Sequence, residues 1–282
     1  MSPTKHVLII GAGYLGTALA NSLNHDGFHP ILADNQIREG VFHADIADID
    51  SLNLLANDIP TPDIIILAVS TKGGDINDYK NTYLNGVNNV FTCFPDSTVI
   101  FCSSTSVYGI TDGRWATETH NVYPQTTKGK ILLEAEQLVL DHHGVVARLA
   151  AIYGPNRCEL VNKFITKHQS LSTETDKWVN YIHRDDAASA ITLLCQLRQS
   201  GKIVNISDST PLTLDEIYQY LHNLLETQND LASPPERSKN RGLTNQRISC
   251  NLLLSLGWEP LYPSFLDGVH NVLESLDIHP EE

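Results

Sequence analysis

Short apolar runs alternate with amphipathic stretches through the first half of the chain. Val7-Leu8-Ile9-Ile10 is short and β-branched enough for a buried strand, and Thr17 to Leu23 follows with helical spacing. A second apolar run, Ile31-Leu32-Ala33, ends in Asp34, and the brief Val41-Phe42-His43 ends in Ala44-Asp45. Asp63 to Val69 reads as a fully buried strand, residues 78–94 as a helix, and Thr98 to Cys102 as the next strand. Another helix is expected from about 127 to 141, before the run Val145-Val146-Ala147. This alternation predicts βαβ units around a parallel sheet.

The turn between the first strand and first helix carries chemistry. Gly11-Ala12-Gly13-Tyr14-Leu15-Gly16 fits G-x-G-x-x-G, and Asp34 follows Gly13 by 21 residues. Strand, glycine turn, helix and distant acid together form the context of a dinucleotide-binding, Rossmann-type fold. Gly11 allows the tight turn, Gly13 lets the backbone approach a pyrophosphate, and Gly16 lets helix and strand pack closely. The phosphates would sit at the helix N-terminus, where free N–H groups and the dipole favour negative charge. Asp34 would accept hydrogen bonds from the adenosine ribose and repel a 2′-phosphate, favouring NAD, while Arg38 keeps NADP open. Asp45 would meet the adenine amino group or cap the next helix. Tyr14 and Leu15 within the motif, Ala68, Val69 and Ser70 at the end of the third long strand, and Ser103 complete the expected cofactor contacts. Ser70 opens a polar loop running to Gly73-Gly74 on the cofactor side of the sheet.

Composition narrows the picture. The chain has 282 residues and a formal net charge of −14, which argues against nucleic-acid or anionic-membrane partners, since both need basic patches. No apolar run approaches the roughly 18 residues of a membrane span, and the first strand begins almost at Met1, so a cytoplasmic protein without a signal peptide is expected. The five cysteines form no C-x-x-C pair and read as reduced thiols. His25 and His29 flank Gly27 in a loop, and His142-His143 lies at a helix end, where it is expected to meet the last carbonyls. No metal site is expected from either pair.

Ser103-Ser104-Thr105-Ser106-Val107-Tyr108-Gly109 places four hydroxyls at the carboxyl end of a strand, where ligands bind in such sheets. This stretch resembles the S-S-x-x-V-Y-G motif of the extended short-chain dehydrogenases/reductases, which include nucleotide-sugar epimerases and dehydratases. The resemblance continues in Arg148 to Pro155, in Tyr181-Ile182-His183-Arg184-Asp185-Asp186 with a helix over 187–198, and in Ile248 to Trp258. It implies an NAD-binding domain of residues 1–155 plus 178–207 and a smaller C-terminal α/β substrate lobe of 156–177 plus 208–282. Ser104 falls on the family's catalytic position, which hydrogen-bonds the reacting hydroxyl, with Thr105 and Ser106 beside the substrate. Family members pair through helices, so a homodimer using the helix from about 127 to 141 is implied. Thr213 is expected to cap a further helix in a capping box with Glu216, and residues 228–242 read as a surface loop.

The pattern breaks at the proton-transferring pair. The family's Tyr stands four residues before a Lys, about one helical turn apart. The aligned positions here are Lys128 and Leu132. Lys128 is a candidate substitute base if burial depresses its pKa, and Tyr123 is another, although Pro124 biases it out of the helix. The chain resembles an atypical bacterial subgroup that keeps the serine motif and lacks the Tyr–Lys pair. Ala151 stands where the family often has an Asn on the sugar diphosphate, so Arg157, Arg241 or Arg247 is left to meet a phosphate. Two functions follow: an NAD-dependent epimerase, dehydratase or dehydrogenase acting on a hydroxyl-bearing, nucleotide-sugar-like substrate, or a non-catalytic dinucleotide-binding protein.

Overall fold

A computed structural model describes residues 5–167, 176–225 and 244–279. The loop expected at 228–242, with Arg241, lies outside them. In chain order the elements begin with β1 (His6–Ile10), α1 (Tyr14–His25), β2 (His29–Asp34), β3 (Phe42–His43), α2 (Ile49–Asp58) and β4 (Ile64–Leu67). A helical stretch follows: α3 (Ile76–Tyr79), a π-helical segment Lys80–Asn85, and α4 (Gly86–Cys93). β5 (Thr98–Ser104) runs into the 3₁₀ turn Thr105–Tyr108. Then come β6 (Trp115–Ala116), α5 (Thr127–Asp141), β7 (Val145–Leu149), β8 (Ala151–Tyr153), α6 (Glu159–Lys167), β9 (Trp178–Val179) and β10 (Tyr181–His183). The last elements are α7 (Arg184–Leu197), β11 (Lys202–Ile206), β12 (Leu212–Thr213), α8 (Leu214–Leu224), β13 (Arg247–Ile248), α9 (Asn251–Ser255) and α10 (Phe265–Glu274).

Seven strands form one sheet in the order β11-β7-β5-β4-β1-β2-β3, every pair parallel. The pleat divides each strand between two cores. In β4, Ile64 and Ile66 face a layer containing Leu19, Leu23, Ile191 and Leu194 of α1 and α7, while Ile65 and Leu67 face Leu52, Val90 and Ala135 of α2, α4 and α5. Helices therefore cover both faces, as the doubly wound reading requires. Each of these buried aliphatic side chains contributes roughly 1.5–3 kcal/mol relative to exposure.

Local chemistry moves several boundaries. The helix expected at 78–94 begins at Ile76, because Asp75 and Asp78 form a capping box. The helix expected at 187–198 begins at Arg184, because the His183 ring accepts the Asp185 N–H. Thr213 and Glu216 form the expected capping box, and the His142 ring meets the Leu138 carbonyl. Ile131, Leu132, Ala135 and Val139 of α5 are buried within the chain, Leu133, Leu138 and Leu140 are half-buried, and Lys130, Glu134 and Gln137 are exposed.

A third core joins Val161 and Phe164 of α6, Ile217 and Leu221 of α8, and Phe265, Val269 and Val272 of α10. It is separate from the two cores that flank the sheet. Leu253 and Trp258, expected in the C-terminal lobe, pack with the sheet core, and the Trp258 indole donates to Ser189 of α7.

Candidate functional site

The glycine turn follows β1 directly. Gly11 has φ +107°, and a Cβ there would stand 2.5 Å from the Ala68 carbonyl oxygen; a Cβ on Gly16 would collide with the Gly11 carbonyl. Around Gly13 there is open space instead, and it caps α1 with no side-chain hydrogen bond. The first N–H groups of α1 therefore face a place that only a missing side chain keeps clear, which fits a pyrophosphate. A cavity of about 130 Å³ opens there, lined by Gly11, Gly13, Asp34, Arg38, Asp45, Ala68, Val69 and Ser70 among others. Seven residues that the glycine fingerprint and strand ends nominated separately thus stand on one cavity.

Asp34 accepts the Gln36 N–H at 3.0 Å and pairs with Arg38 at 3.0 Å, and Arg38 also donates to the Ala12 carbonyl at 2.8 Å. Asp45 accepts the Ala47 N–H at 2.9 Å while lining the cavity. Asn35, Ile46, Lys72 and Thr82 complete the wall. None carries a sequence signal of its own, although the Gly73-Gly74 pair marks the turn that brings Lys72 in.

One proposed cofactor contact, Ser103, is corrected, and two, Tyr14 and Leu15, are narrowed to their backbone. Ser103 faces the other side of β5, where its buried hydroxyl donates to Glu136 at 2.6 Å. The pleat that aims Ser104 at one face must aim Ser103 at the opposite one. The Tyr14 side chain leaves the cavity, donating to the Pro155 carbonyl at 3.1 Å with the Arg157 and Arg184 guanidinium groups over its ring. Burial raises the Tyr14 pKa despite those two cations. Leu15 packs into the core between α1 and the sheet. Only the backbone of Tyr14 and Leu15 is left to meet a phosphate.

A second cavity, about 300 Å³, opens where β5 ends. Ser104, Thr105, Ser106 and Ala151 line it together, with Lys177, Trp178, Asn180, Tyr181, Thr244 and Gln246. The Ser104 hydroxyl oxygen accepts the Ser106 N–H at 3.2 Å, so its own O–H is free to donate. Burial pushes the Tyr181 pKa far up and keeps its phenol protonated. Two amides that the sequence reading missed build the far wall. Gln246 donates to the Thr105 carbonyl at 2.9 Å, and Asn180 both donates to the Gln246 carbonyl and accepts the Ile248 N–H, each at 2.8 Å. Asn180 immediately precedes the Tyr181-Ile182-His183 motif, which was the available clue.

Behind β5 a buried polar layer holds the strand. Arg148 on β7 donates to both Glu136 carboxylate oxygens, the shortest contact being 2.6 Å, and its guanidinium lies 4.7 Å from the Tyr108 ring centroid. Tyr108 in turn donates to Asn205 at 2.7 Å.

The remaining candidates do not line the Ser104 cavity. Tyr123 is 65% exposed and lines a different hollow beside Glu118 and His120. Proline at 124 holds it before α5 begins, which is the physical reason the substitution fails. Lys128 donates to the carbonyls of Gly74 (2.5 Å) and Gly73 (3.4 Å) and sits 4.7 Å above the Tyr79 ring centroid. An ammonium committed to two carbonyls and a ring face is a clasp, not a base at Ser104. Arg157 stands on Tyr14, and Arg247 lies between the Trp115 and Trp178 rings while donating to the Gly113 carbonyl. Among the described residues no cluster of three or more His, Cys, Asp or Glu could hold a metal, and no helix is long and apolar enough to cross a membrane.

Residues 7–207, spanning the glycine turn, the serine motif and the sheet, match the model of the NAD dependent epimerase/dehydratase family. The chain belongs to that family. Protein YeeZ of Escherichia coli K12 is 30% identical over 92% of this chain and 97% of its own length. A Methylobacillus flagellatus protein assigned to the NAD-dependent epimerase/dehydratases superposes with a TM-score of 0.81 at 27% identity, covering 98% of this chain and all of that one. The Brucella ovis UDP-glucose 4-epimerase in complex with NAD shares the fold, with a TM-score of 0.82 at 18% identity and 99% and 100% coverage. Within this epimerase/dehydratase-family chain, the serine strand and the glycine turn occupy the same carboxyl edge of one sheet.

Proposed function

We propose that this protein is an NAD-dependent oxidoreductase of the epimerase/dehydratase type, acting on a hydroxyl-bearing, nucleotide-sugar-like substrate. The observation that carries the reading is the free hydroxyl of Ser104 on its own cavity, beyond the glycine-lined cavity on the same sheet edge. Bound across that edge, the nicotinamide would take up a hydride from the substrate's carbinol carbon while a water relay carries the hydroxyl proton to solvent. The α1 N-terminus would hold the pyrophosphate, and Asp34 the adenosine ribose, with Arg38 beside it. Ser104 would donate to the reacting oxygen and fix its orientation. Residues 1–155 with 178–207 would form the cofactor domain in this reading, and residues 156–177 with 208–282, which include α6, α8 and α10, would supply the substrate side.

One observation favours the second reading, a non-catalytic dinucleotide-binding protein: Lys128, at the family's Tyr position, is tied to a loop rather than to the Ser104 cavity. Native mass spectrometry of protein purified without added ligand, followed by calorimetric titration with NAD, NADP and a panel of nucleotide sugars, separates the two. NAD retained or bound tightly, with a sugar nucleotide binding on top, is the expected result. Asp34→Ala should then weaken NAD about tenfold more than NADP. NAD binding with no sugar ligand would move the assignment to the second reading, and no dinucleotide binding would remove both.

A further inference from the structure

We propose that Lys128 is a positioning residue for the dinucleotide: it clasps the Ser70–Gly74 loop against the cofactor cavity and sets how long the cofactor stays. The proposal rests on the dinucleotide reading above. Ser70 and Lys72 of this loop line the cofactor cavity. The backbone at Lys72 is in an unfavourable conformation. Lys72 has φ +51° and Gly73 φ +92°, and the Gly74 N–H closes the turn onto the Thr71 carbonyl at 3.0 Å. A lysine in the left-handed region is not there by intrinsic preference; the Ser70 hydroxyl accepts its N–H at 3.2 Å within the turn, and contacts from outside add to that hold.

The loop is held from both ends. At its start, buried Tyr83 donates to the Val69 carbonyl at 3.5 Å and sets its ring against Phe101 of β5. At its end, the Lys128 ammonium donates to the carbonyls of Gly73 and Gly74, with Tyr79 beneath it. Lys128 is itself anchored on the first turn of α5, where Thr126 caps the Gly129 N–H at 3.0 Å. The chemistry suits a three-donor cation, which can serve two carbonyls at once while resting on an aromatic face. Opening the cavity requires these carbonyls to exchange the ammonium for water. The residue at the position of the missing base thus acts on cofactor retention, and its effect should appear in binding rather than in proton transfer.

The experiment compares wild type, Lys128→Met, Lys128→Arg and Gly73→Ala in the full chain. NAD affinity is measured by calorimetry, NAD release by stopped flow, and loop opening by hydrogen exchange. Gly73→Ala strains the loop, including one of the clasped carbonyls, while keeping the Lys128 side chain: a Cβ there meets nothing within 4 Å, so its penalty is the positive φ alone. Lys128→Met and Gly73→Ala should each speed NAD release and raise its Kd about tenfold. Exchange should quicken at 70–75 and not in β1 or β4, and Lys128→Arg should recover most of the loss. If Lys128→Met releases NAD at the wild-type rate, or if exchange quickens throughout the sheet, the clasp is wrong and the cofactor reading stands. If wild type binds no dinucleotide, the reading beneath it has failed.

Discussion

The two halves of the candidate site are assembled differently. The cofactor cavity is lined by residues between Ile10 and Thr82, contributed in sequence order by successive strand ends of one sheet. The Ser104 cavity gathers β5, the step from β7 to β8, residues 177–181 and residues 244–246. The contrast extends to their ion pairs. Asp34–Arg38 spans one helical-turn spacing at the rim, with Arg38 40% exposed, whereas Glu136–Arg148 is almost fully enclosed behind the serine strand. Local assembly leaves an adjustable cofactor half. Long-range assembly makes the substrate half dependent on interior contacts that no single motif encodes.

Removing Glu136 breaks this comparison most severely. Glu136→Ala leaves the Arg148 guanidinium buried with no counter-charge and takes the acceptor from Ser103. The expected loss is about 3–5 kcal/mol in urea unfolding. Asp34→Ala, at the rim, should change stability by about 1 kcal/mol or less. Equal losses at the two sites would remove the distinction between them.

That distinction also decides what could be read from the sequence. The glycine turn, Asp34 and the strand ends were legible because consecutive residues make them and each glycine has a steric reason. Ser104 was legible through its motif. Ser103 was misassigned because alternation along β5, rather than the motif, sends it to Glu136. Lys128 and Tyr123 were considered for their chemistry, but Pro124 and the Gly73-Gly74 carbonyls decide their direction. Asn180 had only its place before Tyr181-Ile182-His183 as a clue and Gln246 had none, since their partners lie 66 and 141 residues away in the chain. Trp258 showed the same limit, crossing from the expected lobe to the sheet core through Ser189.

Ser104→Ala sharpens the comparison from the chemical side. Among the described residues the hydroxyl hydrogen-bonds only the Ser106 N–H, capping the 3₁₀ turn, so its loss should cost about 1 kcal/mol of stability and leave NAD affinity unchanged. Turnover of any substrate found by titration should fall about 10²–10³-fold, the effect of losing a hydrogen-bond donor aimed at the reacting oxygen. Intact turnover would remove Ser104 from the reaction and favour the binding-protein reading. Weakened NAD binding would show that the two halves are not separable at this residue.

The smallest expected effect concerns a carboxylate behind the Ser104 cavity. Asp34 finds partners for both oxygens at the cofactor rim. Asp208, whose N–H donates to the Tyr181 carbonyl, has one carboxylate oxygen with no partner among the described residues. Burial raises the Asp208 pKa well above its ordinary value; Asp186 and Asp267 add to the rise, and the Phe265 amide offsets part of it. The folded chain therefore binds this proton more tightly than the unfolded chain, whose carboxyl titrates near about pH 3.9. Its contribution to stability is complete below that pH and is lost as pH rises through the folded-state value. Asp208→Asn removes that dependence while keeping the shape. The variant should match wild type near pH 4 and exceed it by about 1 kcal/mol at neutral pH. Thermal unfolding across that range reads the difference directly. A gap that stays constant with pH, or one that favours wild type at neutral pH, would mean that Asp208 is charged and satisfied in the folded protein, and the wall of the substrate half would then be as well partnered as the cofactor rim.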